Sequence, residues 1–348
     1  MKAALYRAHG GPEVLEIAEV PDPVPARADV VVRVAAVGLN RLDLLQRSGP
    51  ALLPHFTLPH IAGMDFAGHI VAVGSDVDDS RIGQRVVVNP AITCDTCPAC
   101  TTGADGLCAA KTVVGGSIAG GYGELCVVPA THALVVPDHI DLVEAASLPT
   151  VYSRAWQSLF VTGQLTIGET LLVHAAASGV TTAAVQLAKR AGARVIVTAR
   201  TQGELDYACE HGADEGINTT TTDVCEAVLD LTGGRGADIV FDHLGPALFE
   251  ASIHALRPKG RLVFCGTTTG ATVQITLPSV YHRGVTLMGS ESYSFADFER
   301  MVTYCWSANL KSIIDRTLPI SQVAKAHGLM ASDELRGKLM LLHSAADQ

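Results

Sequence analysis

Between residues 147 and 280, short apolar runs at 170–173, 194–198, 238–241 and 261–265 alternate with helix-period segments such as 183–191. Apart from polar residues at their ends, these runs are apolar at consecutive positions instead of at every second residue, so both faces need cover. A parallel sheet with helices on either side provides it. The predicted element is therefore a doubly wound α/β parallel sheet, with residues 285–288 as a candidate last strand. Sheets of this kind offer the carboxyl ends of their strands to a small molecule.

The remaining sequence has a different rhythm. Short β-rich runs at 30–37, 66–73, 85–88 and 124–128 are broken by Gly and Pro, which predicts an irregular, mostly antiparallel domain. A helix at 295–308 and a strand at 337–342 have no place in a nucleotide fold and are expected to rejoin that first domain. The expected division is 1–146 with 281–348 as one domain and 147–280 inserted as the other, and 348 residues suffice for two cores. A formal charge of −10 without a Lys/Arg-rich run argues against nucleic acid as a partner. No apolar stretch approaches the roughly 18 residues of a membrane span, so neither a membrane nor a signal peptide is expected. The nine cysteines do not read as a disulfide scaffold, which points to a cytoplasmic protein.

Four of those cysteines form Cys94-x2-Cys97-x2-Cys100-x7-Cys108, with Pro98 and Gly103 to turn the loop. The spacing lets one loop offer four thiolates to a single tetrahedral ion. A zinc ion so held has no open position for water or substrate, so its role is structural. An iron–sulfur cluster or free thiols are the alternatives.

After the strand at 170–173 comes His174-Ala175-Ala176-Ala177-Ser178-Gly179-Val180-Thr181, opening a helix. Small residues there let backbone N–H groups approach a pyrophosphate at the positive helix end, and Ser178, Gly179 and Val180 are the candidates to meet it. The three glycine places of the standard pattern are filled by Ala176, Ser178 and Thr181, so an ordinary small-residue turn fits as well. The next strand ends in Thr198-Ala199-Arg200-Thr201, with no carboxylate in that run for a ribose hydroxyl. Arg200 can pair with a 2′-phosphate, with Thr198 and Thr201 beside it, which favours NADPH over NADH; a solvated surface arginine is the alternative. Asp242-His243-Leu244-Gly245 and Cys265-Gly266-Thr267 sit at later strand ends, where the backbones of His243, Leu244 and Gly266 are expected to flank the nicotinamide.

The cysteine loop ahead of a dinucleotide fold, with Gly38-Leu39-Asn40-Arg41-Leu42-Asp43, Gly63-Met64-Asp65-Phe66-Ala67-Gly68, Gly83-Gln84-Arg85-Val86 and the final Gly337-Lys338, resembles the medium-chain dehydrogenase/reductase superfamily of zinc alcohol dehydrogenases and quinone reductases. The resemblance runs essentially end to end. It implies a mostly β, GroES-like catalytic domain with a zinc lobe at about 90–112, a Rossmann-type domain, one structural zinc per chain, a small-molecule substrate, and a homodimer, or a tetramer, joined through the edge strand at 285–288. In zinc members a cysteine, a histidine followed by glutamate, and a residue near the linker hold a catalytic metal; here those places read Asn40, Met64-Asp65, and Thr150 or a neighbour. Asn and Met are poor zinc ligands, and Leu42 stands where the family's proton relay has a hydroxyl.

Without a Lewis acid, reduction of a conjugated C=C bond, an enoyl thioester or a quinone becomes the expected chemistry. The resemblance assigns Arg41, Thr150 and Lys338 to the cofactor, and Asn40 to the substrate oxygen through its amide N–H, unless Asn40 is simply a cap. Asp43 and Asp65 would hold Arg41 or Asn40. Tyr152 could donate a proton or line the pocket, with core packing as its alternative. Two other readings stay open: an alcohol dehydrogenase whose metal is rebuilt from Asp43, Asp65 and His60 or His69, and a non-catalytic NADPH-binding protein. Glycines 115, 116, 120, 121 and 123 suggest a mobile pocket wall.

Overall fold

The computed structural model describes residues 1–332 and 334–343. The chain divides into two compact units, Met1–Thr150 with Ser294–Gln348, and Val151–Tyr293. The second unit therefore runs past residue 280, where the sequence pattern had placed its end, and takes in the strand Thr286–Gly289 and the turn after it.

In the second unit six parallel strands lie in the order Glu215–Asn218, Arg194–Ala199, Thr170–Val173, Ala237–Asp242, Leu256–Phe264, Thr286–Gly289. In chain order this is 3-2-1-4-5-6, so the direction of winding reverses between Thr170–Val173 and Ala237–Asp242, the point at which such sheets bind ligands. All four residues of Thr170–Val173 are buried. Leu172, Ile196, Val240 and Leu262 share one core with Val228 and Ile253 of the covering helices. Glu215–Asn218 was not legible as a strand: of Glu-Gly-Ile-Asn only Ile217 is buried, because an edge strand needs little apolar surface. The helix Pro149–Trp156 runs on into a π-turn, Gln157–Thr162, an irregularity that recurs at functional sites.

The first unit is built on a mostly antiparallel sheet. Asp29–Gly38 lies at its centre, paired with Asp65–Val73, Leu125–Pro129 and Lys338–Leu342; Arg85–Val88 and Ala133–Val135 extend one side and Ile314–Pro319 the other. The helix Phe295–Ser307 and the strand Lys338–Leu342 lie in this unit. Val30, Val32, Phe66, Ile70, Val86, Leu339 and Leu341 fill one core. Register decides which polar residues meet at the end of this sheet. Gly38 pairs with both Asp65 and Met340, which sets Leu39 and Asn40 beside Asp65 and Lys338.

The glycine-rich segment is closely packed, contrary to the mobility its composition suggests. A Cβ on Gly115 would stand 2.3 Å from the carbonyl of Gly63, and one on Gly120 would stand 2.3 Å from the Cα of Gly115. These glycines serve close backbone approach, tied by Gly120 N–H to Ile61 O (2.9 Å) and Gly121 N–H to Gly63 O (2.8 Å).

Candidate functional site

In the first unit the register gathers a buried polar cluster. Lys338 is 2% exposed, and its ammonium donates to Asn40 Oδ1 (2.8 Å), Asp65 Oδ2 (3.0 Å) and Leu39 O (3.1 Å). Those three acceptors match the three protons of an ammonium. The cofactor role expected for Lys338 gives way to an internal one, because no donor is left for a phosphate. Asp65 is fully buried; its other oxygen accepts from the backbone N–H of Thr150 (3.0 Å) and from the Thr150 hydroxyl. Thr150 thus faces Asp65 with the donors that a cofactor contact would use.

Asn40 caps the helix Arg41–Ser48, and its own N–H donates to Asp43 Oδ2 (2.8 Å). The cap reading of Asn40 is therefore right for its backbone. Its side chain does something else: Oδ1 accepts from the Lys338 ammonium (2.8 Å), and Nδ2 donates one proton to Gly38 O (3.4 Å), which leaves its second proton without an acceptor among the described residues. Asp43, 1% exposed, also accepts from Gly63 N–H (3.3 Å). Burial pushes its carboxyl up to about 7, with the nearby Asp65 charge adding to the rise. Arg41 is the exposed first residue of the helix. Asp43 and Asp65 were expected to hold Arg41 or Asn40, and it is Asn40 that they hold, Asp43 through the Asn40 N–H and Asp65 through Lys338. Met64 is 3% exposed. His60 turns its Nε2 to Gly115 O (3.0 Å) and packs its ring on Tyr6 and Phe56.

In the second unit Ser178 caps the helix Gly179–Arg190, accepting from Thr181 N–H (3.1 Å). Ser178, Gly179 and Val180 are half-buried at the positive helix end. The left-handed residue of this turn is Ala175, φ 56°, while Gly179 is an ordinary first helical residue. Beneath the turn lies a network the sequence did not reveal. Ser252 gives its proton to Leu248 O (2.7 Å), so it accepts from His174 Nε2 (2.8 Å); His174 Nδ1 then accepts from the Thr198 hydroxyl (2.9 Å). Burial holds His174 neutral, pushed down to about 4. Thr198 consequently points into the protein, against its expected cofactor contact. A histidine at the end of a fully apolar strand was the available signal.

Arg200 is exposed at the end of Arg194–Ala199. Thr201 caps the next helix, and its hydroxyl donates to Glu204 Oε2 (2.8 Å). The strand end is therefore not free of carboxylate: Glu204, three residues on, turns back to it. Leu244 and Gly245 give their N–H groups to Asp242 Oδ1 (2.7 and 2.9 Å). Gly266 is required where it stands, since a Cβ there would meet His243 O at 2.1 Å. Tyr152 is 1% exposed in its helix, in keeping with core packing.

The four loop cysteines converge. Their sulfurs lie within 4.8 Å of one another, with Cys97–Cys100 at 3.5 Å, Cys94–Cys108 at 3.6 Å and Cys94–Cys100 at 3.9 Å. A tetrahedral ion with ligands at about 2.3 Å requires sulfur separations near 3.8 Å, so the quartet fits zinc. Backbone N–H groups of Thr96 and Cys97 pull the Cys94 thiol down to about 6. Burial, with the Cys97 thiol next, pushes Cys100 up to about 12; ionising all four thiols side by side would require a cation among them. Asp105 in the same loop accepts from Phe295 N–H (2.7 Å), docking the lobe on the C-terminal helix. Among the described residues this is the one group of three or more His, Cys, Asp or Glu whose ligand atoms converge. No helix among them is long and apolar enough to cross a membrane.

Comparison with known proteins agrees with this geometry. Residues 26–138 match the alcohol dehydrogenase GroES-like domain and residues 179–307 the zinc-binding dehydrogenase domain. A quinone oxidoreductase of Pseudomonas aeruginosa is 31% identical, over 98% of this chain and 99% of its own length. A 2-haloacrylate reductase of a Burkholderia species is 28% identical, over 99% of each. A solved structure of an NAD-dependent alcohol dehydrogenase is 36% identical with a TM-score of 0.94, covering 99% of this chain and 100% of that one. The chain belongs to the medium-chain dehydrogenase/reductase superfamily and is an NAD(P)H-dependent oxidoreductase.

Proposed function

We propose that this enzyme reduces an activated C=C bond or a quinone at the expense of NADPH, without a metal at the reacting centre. The observation that carries the reading is the Asn40–Lys338–Asp65 cluster: where zinc members of the family place thiolate and imidazole, this chain places a carboxamide, a thioether and a buried ammonium already paired with its own carboxylate. NADPH supplies the hydride. Addition to a conjugated acceptor leaves charge on a carbonyl or quinone oxygen, and in this proposal the Asn40 Nδ2–H group, its carboxamide oriented by Lys338 through Oδ1, binds that oxygen. The relatives named quinone oxidoreductase and 2-haloacrylate reductase favour this acceptor class. Arg200 supports NADPH as the donor, and the cysteine quartet one structural zinc per chain. The open edge of Thr286–Gly289 supports a homodimer, checked by the mass in solution.

The test combines an acceptor screen with a metal count. The proposal expects turnover on enones or quinones, one zinc per chain, and an Asn40→Ala variant with kcat lower by about 10²–10³-fold. The likeness to an NAD-dependent alcohol dehydrogenase favours a second reading, alcohol oxidation at a metal. Two metal ions per chain, with activity confined to simple alcohols or aldehydes, would establish that reading instead.

A further inference from the structure

The dinucleotide turn of this chain is poor in glycine and still takes a left-handed residue, Ala175 at φ 56°, a conformation that costs an alanine where glycine would sit freely. Something must hold the turn there. The ring of His243, from the far side of the switch point, reaches across: its Nε2 lies 3.0 Å from His174 O, the carbonyl just before Ala175, and 3.0 Å from Thr181 Oγ1. The proton directions are fixed by the neighbours. Thr181 gives its hydroxyl proton to His174 O (2.6 Å), and Ser178 gives its own to Thr181 Oγ1 (2.9 Å). Both oxygens facing the ring are thus acceptors, and His243 Nε2–H is the donor they share.

The backbone of His243 is held just as firmly. Its carbonyl accepts from Thr268 Oγ1 (3.0 Å), and Gly266 packs so closely on it that no side chain fits. The residue therefore joins three strand-end segments: 174–181, 243–245 and 266–270. Sequence alone suggests that its backbone faces the nicotinamide; its side chain turns back beneath the turn at 174–181.

We infer that His243 is a positioning residue for the cofactor, pegging the glycine-poor turn in its binding conformation through His174 O and Thr181 Oγ1. The inference rests on the reading of residues 174–181 as the dinucleotide turn. It explains how an alanine keeps a left-handed conformation in this glycine-poor turn: a lateral hydrogen bond offsets the strain that a glycine at 175 would not have.

The test measures NADPH affinity by fluorescence titration, alongside kcat and KM, in the full-length enzyme. His243→Phe keeps an aromatic ring and removes the donor, and is expected to raise the dissociation constant for NADPH about tenfold, a larger change than any in kcat at saturating NADPH. Adding Ala175→Gly, which makes the left-handed turn intrinsically easy, is expected to recover most of that loss. A merely structural role would not show this rescue. Should His243→Phe fail to fold, Thr181→Val removes one of the two acceptors and is expected to weaken NADPH in the same direction. A folded His243→Phe enzyme that binds NADPH within twofold of the parent overturns the inference, as does a loss that Ala175→Gly leaves untouched. A parent enzyme that binds neither NADPH nor NADH overturns the reading of the turn itself, and the inference with it.

Discussion

The cysteine lobe and the Asn40 cluster lie in the same unit. They answer the problem of buried charge in opposite ways. The lobe gathers four thiols within 4.8 Å of one another, a set that could hold a cation supplied from outside the chain. The cluster brings its own cation: Lys338, closed in by Asn40, Asp65 and a backbone carbonyl. A site that imports its cation is built from one short loop. A site that supplies its own needs a sheet to bring residues 40, 65 and 338 together. An ion pair within the chain can thus order a buried polar cluster by itself.

Removing the internal cation strikes hardest at this contrast. Lys338→Met leaves Asp65 buried and unpaired, and is expected to cost about 3–5 kcal/mol of stability in urea melts. A double variant, Lys338→Met with Asp65→Leu, should regain much of that while remaining catalytically weak, because Asn40 has lost the group that aims it. Equal stability of Lys338→Met and the parent would mean the ion pair is not what orders the cluster. In the lobe, Cys97→Ser is expected to lower zinc content below one per chain and stability by about 3 kcal/mol, the upper part of the ordinary range for single substitutions. Its turnover per folded molecule should fall far less than that of Asn40→Ala. If the two variants lose turnover alike, the division of labour between the two places is wrong.

The cluster has one ammonium for two carboxyls, and that imbalance predicts a pH effect. Lys338 pairs with Asp65, so Asp43 is left to take a proton, pushed by burial from 3.8 to about 7. Between those values the folded chain binds a proton that the unfolded chain has released. Its stabilising contribution is complete below the unfolded pKa and is lost as pH rises through about 7. The slope is at most about 1.4 kcal/mol per pH unit. Melting temperatures from pH 5 to 8 should therefore decline more steeply for the parent than for Asp43→Asn, which keeps an acceptor oxygen and cannot ionise. Parallel curves would show that Asp43 is ionised throughout.

The same contrast explains how much of the fold and the site was legible in the sequence. The lobe could be read because its ligands are neighbours in the chain, and Cys-x2-Cys spacing is a local signal. The parallel strands could be read because full burial writes continuous apolar runs. The edge strands Glu215–Asn218 and Ile314–Pro319 could not, since one sheet neighbour and partial exposure ask for little apolar surface. Asn40 and Lys338 were each singled out, but their hydrogen bond was invisible, because only the register of Gly38 against Met340 brings them together. Glycine misled twice. Residues 115–123 looked loose and are tightly packed, while the turn that needs a left-handed residue holds an alanine. Composition reports what a backbone can do, and packing decides what it does.

A milder change is expected at a third charged place, the end of the strand Arg194–Ala199. Here the chain would again provide the cation, with Arg200 for the 2′-phosphate of NADPH, and Arg200→Ala is expected to lower kcat/KM for NADPH about tenfold while sparing NADH. Yet Glu204 holds its carboxylate on the Thr201 hydroxyl at 2.8 Å, close enough to oppose an incoming phosphate. Glu204→Gln keeps the reciprocal helix cap, which glutamine serves as well as glutamate, and takes away only the charge. Because the site is open to solvent and screened, the gain should be a few tenths of a kcal/mol up to about 1 kcal/mol, a rise of roughly two- to fivefold in the NADPH-to-NADH preference, larger at low salt. A preference that falls in Glu204→Gln, or that ignores ionic strength, would mean that Glu204 serves the cofactor instead of opposing it, and the assignment of NADPH would then have to yield to NADH.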